Sequence, residues 1–388
     1  MRRSQHRPKG PSLSVIRNPA RNESATSGRP AARPIDVLLS PGPERLKDNP
    51  CLSLLFAEVS RCDVRIAPFS GRSDLLSRHD VIHFNWPEWL VRWNNVRSAL
   101  FDVSTSLGLL WLARRRGAAV VWTGHDLEPH ELPRPWLWRL FQGLFLSQTD
   151  LLISFGNGAT TLLVDRYPRL AQIPVAVIPH GHYRDYYTAR PDVTAFRAQV
   201  GLDQRPVLLC FGLIKYYKNI PGIIRAWKQL PAPRPQLVIA GRPVSRELEA
   251  EIRSEAGNIP DVHLLLRFIG DDEVPTIFAA ANVLLMPYAA RSALNSGVAH
   301  LALSLGKPAV LNDTAANRDV RETFGGDWVH LCDGTPDGAL RVGLEAAATP
   351  RPAAPDLSPA EYARLGSQMR EAYLDAMVSR RSGRHQLA

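Results

Sequence analysis

Short runs of continuously apolar residues recur along the chain, separated by longer stretches whose apolar positions return every three or four residues. The short runs suit strands buried on both faces and the longer stretches suit helices. On this pattern strands are predicted at 36–40, 63–67, 80–84, 118–122, 150–154 and 175–179, with helices between them at 89–115, 134–147 and 158–166. A second series has strands at 207–212, 236–240, 262–266, 283–286, 308–311 and 328–331, with helices at 220–229, 247–256, 274–281, 298–305 and 338–347. Regular alternation of this kind predicts an α/β protein with parallel sheets covered by helices on both sides. Two sets predict two doubly wound, Rossmann-like domains, at 35–190 and 200–350, joined where strand character lapses in 183–204. A Pro/Ala-rich stretch at 350–355 leads to a last helix within 356–380, expected to pack back on the first domain. In such sheets ligands bind beyond the carboxyl ends of the strands, so two facing domains make a cleft.

A net charge of +10 over 388 residues first suggests a nucleic-acid partner. Its distribution removes that reading. Residues 1–34 hold eight Arg or Lys against Glu23, which leaves the remainder with a net charge of only +3. That leader is rich in Pro, Ser and Arg and has no apolar periodicity, so it is expected to be a disordered basic segment. It has no apolar core of signal-peptide length, and the four cysteines show neither close pairs nor metal-ligand spacing. Both features suit a reducing cytoplasm. The longest apolar region, 99–113, is interrupted by Asp102, Ser104 and Ser106 and is too short to span a bilayer.

The second half carries the clearest chemistry. Residues 282–311 read as a buried strand ending at Pro287, a polar loop, a helix and a second strand. Asn295, Ser296 and Gly297 stand where the helix begins, so free N–H groups and the positive end of its dipole face the space beyond the strands. That is an anion site that glycine lets a phosphate approach, although the same residues also suit an ordinary helix cap. Earlier, a strand closes at Gly212 and is followed by Lys215 and Lys218, two ammonium groups placed for a diphosphate. Gly241 ends the next strand, and Arg267 precedes Phe268, Gly270 and an acidic helix start.

The order of these motifs resembles the two-domain nucleotide-sugar glycosyltransferases of the GT-B fold, the large family of bacterial mannosyl- and glucosyltransferases that includes sucrose synthase. The matches are Gly212 with Lys218, Ala240-Gly241, Phe268 with Gly270, Ala281-Asn282 through Pro287, and Gly306-Lys307-Pro308. The resemblance spans about 36–350. It implies a nucleotide-sugar donor held by Gly212, Lys215, Lys218, Gly241, Arg267, Asn295, Ser296 and Gly297. The family's Arg after the first Gly is Leu213 here, and its two glutamates fall on Ala293 and Leu301. The Asn-Ser-Gly loop, together with His-Asp-Leu-Glu-Pro-His at 125–130 and Pro-His-Gly-His-Tyr-Arg-Asp at 179–185, is more similar to the β-mannosyltransferases of bacterial exopolysaccharide assembly. Those enzymes use GDP-mannose and invert.

An inverting transfer needs one group to take the acceptor hydroxyl's proton. Asp126 is the first candidate, His125 the second and Glu88 the third, at two strand ends of the first domain. His83, Asn85 and Trp86 beside them, with His182 and Arg184 before the linker, are candidates for acceptor or cleft contacts; His83 equally suits a core histidine. No Asp-x-Asp pair of the metal-dependent sort accompanies them, so neither metal nor other cofactor is expected and the leaving diphosphate is expected to rest on N–H groups and lysines. The expected partners are a nucleotide sugar and a glycan or polyprenyl-linked acceptor, with no nucleic acid. Seven of the nine tryptophans fall within 86–138, interleaved with Arg92, Arg97, Arg114, Arg115 and Arg139, a composition that suits peripheral contact with the inner face of the cytoplasmic membrane. Two other readings are an epimerase or hydrolase built on Asp271, Asp272 or Asp313, and a binding descendant without activity.

Overall fold

The computed structural model describes residues 33–46, 49–128, 134–288 and 294–385; nearly all of the basic leader, His130 and Ala293 lie outside them. The first sheet is built from β1 (Ile35–Ser40), β2 (Val64–Pro68), β3 (Val81–Phe84), β4 (Ala119–Thr123), β5 (Leu151–Ser154) and β6 (Val175–Val177). The second uses β7 (Val207–Phe211), β8 (Gln236–Ala240), β9 (Val262–Leu265), β10 (Val283–Met286), β11 (Ala309–Asn312) and β12 (Val329–Cys332). The first-domain helices are α1 (Pro50–Val59), α2 (Val96–Arg116), α3 (Pro135–Leu146) and α4 (Asn157–Arg166). After them come α5 (Val193–Val200), α6 (Ile220–Lys228), α7 (Arg246–Ala256), α8 (Val274–Ala280), α9 (Gly297–Ser304), α10 (Ala315–Phe324) and α11 (Pro336–Ala348). The last helix is α12 (Tyr362–His385).

Both sheets are wholly parallel, in the orders β2-β1-β3-β4-β5-β6 and β12-β11-β10-β7-β8-β9. The chain winds one way from β1 to β2 and the other way from β3. In the second sheet it winds one way from β7 to β9 and the other from β10. Each reversal leaves a crevice at the carboxyl ends of the two strands that flank it, β1 with β3 and β7 with β10. The central strands are apolar without alternation because both faces are covered, as the fully buried β4, β7 and β8 illustrate.

Four helices differ from the sequence reading, the first being α1, which was not placed between the first two strands. The helix expected from 89 begins only at Val96: Pro87–Leu90 forms a separate single turn, and Asn95 caps α2 by accepting from the Ser98 N–H at 2.9 Å. α5 lies inside the expected linker, and its short stripe of Val193, Phe196 and Val200 is only partly buried against the core. α10 was not distinguished either, since Ala316 and Phe324 are its only buried side chains.

The domains meet through specific polar contacts. The Asp319 carboxylate on α10 accepts from the N–H groups of Gly158 and Ala159, at 2.9 and 3.1 Å, at the start of α4. The Tyr183 N–H donates to Ser304 Oγ of α9 at 2.8 Å. α12 returns to the first domain, where Leu365, Met369, Ala372, Tyr373 and Ala376 are buried against α1 and the sheet.

His83 explains part of that docking. Its ring is fully buried, with Nδ1 2.9 Å from Tyr373 Oη and Nε2 2.8 Å from Thr123 Oγ1. Burial pushes the imidazole down to about 3, so it is neutral. The expectation of a cleft histidine is corrected: both nitrogens are spent inside the core. Tyr373→Phe is expected to cost about 1–3 kcal/mol, because a buried ring nitrogen loses its partner. Tyr373→Ala adds a cavity and should cost about 3–5 kcal/mol. The shift of the urea-denaturation midpoint measures both.

Candidate active site

The crevice of the second sheet opens between the ends of β7 and β10. Gly212, which follows β7, has φ +91° and Gly241, after β8, has φ +149°. A Cβ on Gly241 would lie 2.1 Å from the Gly212 carbonyl oxygen, so the two strand ends approach as closely as glycine permits. The chain then turns through Tyr216–Lys218. That turn folds Lys218 back into the protein: its ammonium is buried, donates to the Phe211 carbonyl at 3.0 Å and lies 5.0 Å from the Tyr288 ring. Burial, with Lys215 adding to it, pushes Lys218 down to about 8. One carbonyl bond leaves most of that charge uncompensated.

α9 starts opposite the lysines. The Ser296 side chain does not cap it, and its hydroxyl lies 3.9 Å from Met286 Sδ. Asn295 precedes it with Oδ1 2.8 Å from His300 Nε2, while its Nδ2 is buried without a partner among the described residues. Tyr288 Oη is likewise buried without one. These groups, with Lys215, Lys218, Gly297 and Asn317, line a cavity of about 310 Å³. A second cavity of about 490 Å³, lined by Gly212, Gly241, Arg242, Phe268 and Asp271, joins the first through Leu213, Gly297 and Val298. A site with ammonium groups, an uncapped helix start and unspent donors has the chemistry that suits a diphosphate.

The first domain contributes Asp126 to the lining of the 310 Å³ cavity. Asp126 is part-buried, three residues past Thr123, the last residue of β4. Glu88, in the turn after β3, shares a small pocket with Asp126, Asn85, Trp86 and His125. Burial, reinforced by the Asp126 charge, pushes Glu88 up to about 7. Two carboxylates therefore share one small pocket, where burial favours the protonated form of Glu88. His125 Nε2 is 2.9 Å from Asn85 Oδ1, and its ring is stacked on Trp86 with centroids 4.6 Å apart. Burial, with His180 and His83 nearby, pushes His125 down to about 3. It is a neutral group held in place, poorly suited to taking a proton, so Asp126 stands ahead of it as the base.

Other expected site residues lie elsewhere. Arg267 is turned away from both cavities: it pairs with Glu273 at 2.5 and 2.7 Å and donates to the Phe268 carbonyl at 3.0 Å, stabilising the turn that carries Phe268. His182 is buried against the start of α12, with Nε2 3.2 Å from Glu361, and Nδ1 accepts from the Arg184 N–H. It is hinge structure, and Arg184 is exposed beside it, outside the cavity linings. Asp313 is engaged by Arg318 and Asp271 accepts from Tyr186 Oη at 2.7 Å, so neither joins a carboxylate pair in the donor cavity. The structure adds Asn317, Tyr288, Arg242 and His300, which no motif marked. Asn317 and Arg242 are polar residues that only tertiary folding brings to the crevice, and His300 lies within an apolar helix run.

Comparison with known proteins agrees with this geometry. The family model described as "Glycosyl transferases group 1" matches residues 205–337, the domain that holds the lysines and α9. A GDP-mannose:glycolipid 4-beta-D-mannosyltransferase of Xanthomonas campestris pv. campestris is 31% identical over 352 residues, covering 90% of this chain and 95% of that relative. Among solved structures, sucrose-phosphate synthase from Thermosynechococcus elongatus superposes with a TM-score of 0.58 at 15% identity, over 92% of this chain and 99% of the other. Anabaena Alr3699/HepE in complex with UDP gives 0.57 at 16% identity, over 91% and 99%. These two likenesses establish the fold. With the sequence identity extending over nine-tenths of its length, the chain belongs to the group 1 glycosyl transferases and is a nucleotide-sugar glycosyltransferase of the GT-B fold.

Proposed function

We propose that the protein transfers mannose from GDP-mannose to a lipid-linked glycan acceptor, with inversion at the anomeric carbon and without a metal ion. The observation that carries this reading is a single cavity in which Asp126 of one domain faces Lys215, Lys218 and the start of α9 of the other. The curated relative's name supplies the donor and the acceptor class. In one displacement the acceptor oxygen bonds to the anomeric carbon as its proton passes to the Asp126 carboxylate. The bond from that carbon to the diphosphate oxygen breaks, and GDP departs with the electron pair. Lys218, Lys215 and the N–H groups of α9 receive the charge that develops on the leaving group. Glu88, raised by burial and by the Asp126 charge, is suited to keep its proton in the pocket it shares with Asp126.

A lipid-linked acceptor supports a cytoplasmic enzyme working at the inner face of the cytoplasmic membrane. No helix among the described residues is long and apolar enough to cross a bilayer, so the contact is peripheral. The outer faces of α2 and α3 suit it. Leu100, Phe101 and Trp111 of α2 and Trp136, Leu140 and Leu144 of α3 are 42% to 59% exposed. Arg97, Arg115, Arg116 and Arg139 are exposed among them. The single acidic residue of the two helices, Asp102, is buried and paired with Arg72 and Arg92. An apolar face ringed by arginine without exposed carboxylates matches an anionic lipid surface.

Three outcomes are expected. Asp126→Asn should lower kcat by about 10²–10⁴-fold while thermal stabilisation by GDP, insensitive to EDTA, is kept. Loss of the stabilisation in that variant, or a requirement for metal in the wild type, would contradict the assignment. GDP affinity should be level below pH 8 and fall by about tenfold per pH unit above it, because only protonated Lys218 pairs with the diphosphate and its pKa in the free protein is about 8. Lys218→Ala should weaken GDP throughout and flatten that limb in calorimetric titrations. The protein should co-sediment with vesicles containing phosphatidylglycerol, less so at high salt, and not with phosphatidylcholine alone. Trp111→Ser with Leu140→Ser should reduce the bound fraction by about tenfold.

A further inference from the structure

α9 begins without a side-chain cap, and the residue just ahead of its N-cap position is Asn295. The Asn295 amide is divided between two tasks. Its Oδ1 lies 2.8 Å from His300 Nε2, and its Nδ2 is buried with no partner among the described residues. Asn295 also lines the cavity that holds Lys215, Lys218 and Asp126. A buried amide is most stable with both ends paired. Here one end is held and the donor end is left over beside the cavity, a costly state that a ligand oxygen relieves.

His300 is suited to holding that amide. It is 5% exposed, in the second turn of α9, and burial keeps its ring neutral. A neutral imidazole has one N–H, and the carbonyl oxygen of Asn295 at Nε2 assigns the proton to that nitrogen. The ring cannot tilt freely. The His180 imidazole of the first domain stacks on it with centroids 4.4 Å apart and planes at 13°, and Phe324 meets it edge-on at 5.5 Å. The orientation of Asn295 thus depends on packing from both sides of the cleft.

We propose that His300 is a positioning residue that holds Asn295 with its Nδ2–H turned into the donor cavity, where it donates to a diphosphate oxygen of the nucleotide sugar. The inference rests on the donor reading above. It assigns to Asn295 a direct contact with the donor, and to His300 an effect exerted through Asn295.

Calorimetric titration of the full chain with GDP tests it. Asn295→Ala should bind GDP about tenfold more weakly, the range expected when a hydrogen bond to a charged oxygen is lost. Asn295→Asp should bind more weakly still, since it presents a carboxylate to the diphosphate. His300→Leu should match Asn295→Ala, and the double variant should be no worse than either, because both remove one interaction. His300→Gln, whose amide N–H replaces Nε2–H, should recover affinity to within about threefold of the wild type, which a merely structural role would not produce. Circular dichroism and the GDP-free melting temperature establish that each variant is folded. Unchanged GDP affinity in Asn295→Ala, additive losses in the double variant, or a His300→Gln as weak as His300→Leu would overturn the proposal. A wild-type protein that does not bind GDP would overturn the donor reading itself, and is distinguishable because no variant is needed to see it.

Discussion

A parallel sheet leaves room for a ligand only where its strand order reverses, and this chain reverses once in each of its two sheets. Everything chemical in the molecule follows from those two reversals facing one another. β7 and β10 part at Gly212 and Pro287 and expose the lysine turn and the start of α9. β1 and β3 part beside Asn85 and Glu88, with Asp126 at the neighbouring strand end. Short strands and glycines without side chains bring the backbone to the edge of this space, while the polar contacts of Asp319 and Tyr183 hold the two halves together around it.

The charges are separated by domain. The second domain presents Lys215, Lys218 and an uncapped helix start, and the first presents two carboxylates. Lys218 is the strained member of the first set: its ammonium is taken out of water with a carbonyl oxygen and the face of Tyr288 as its described partners. Burial therefore disfavours its charge until an anion arrives, which makes the empty site receptive to a diphosphate. Glu88 shows the reverse effect, where burial and a neighbouring carboxylate retain a proton. On the proposed reading, the site holds positive potential where a leaving group would develop charge and a proton acceptor on the opposite wall.

Much of the architecture could be read from residue pattern. Twelve strands are legible because parallel strands covered on both faces require uninterrupted apolar runs, and the lysine turn and the polar loop before α9 stand out because they interrupt that pattern. α5 and α10 were harder, since a short helix that only partly buries its apolar side chains, or buries them against another domain, leaves a weak stripe in its own sequence. His83 and His182 show the limit for single residues: as sequence each is a histidine at a strand end, and only the positions of Tyr373 and Glu361, near 290 and 180 residues further on, reveal that their nitrogens are already occupied.

By itself the sequence determined that the chain forms two doubly wound domains, that Gly212, Lys215, Lys218 and the Asn295-Ser296-Gly297 loop end strands of the second, and that Asp126 and Glu88 end strands of the first, because strand ends and turn chemistry are local properties. The tertiary structure decided which of these share a space. It placed Asp126 in the same cavity as the lysines, turned Arg267 away towards Glu273, and stacked His180 on His300 behind Asn295. Such pairings depend on the packing of one domain against the other, and no local pattern of apolar and polar residues encodes the distance between two side chains that the chain separates by more than a hundred positions.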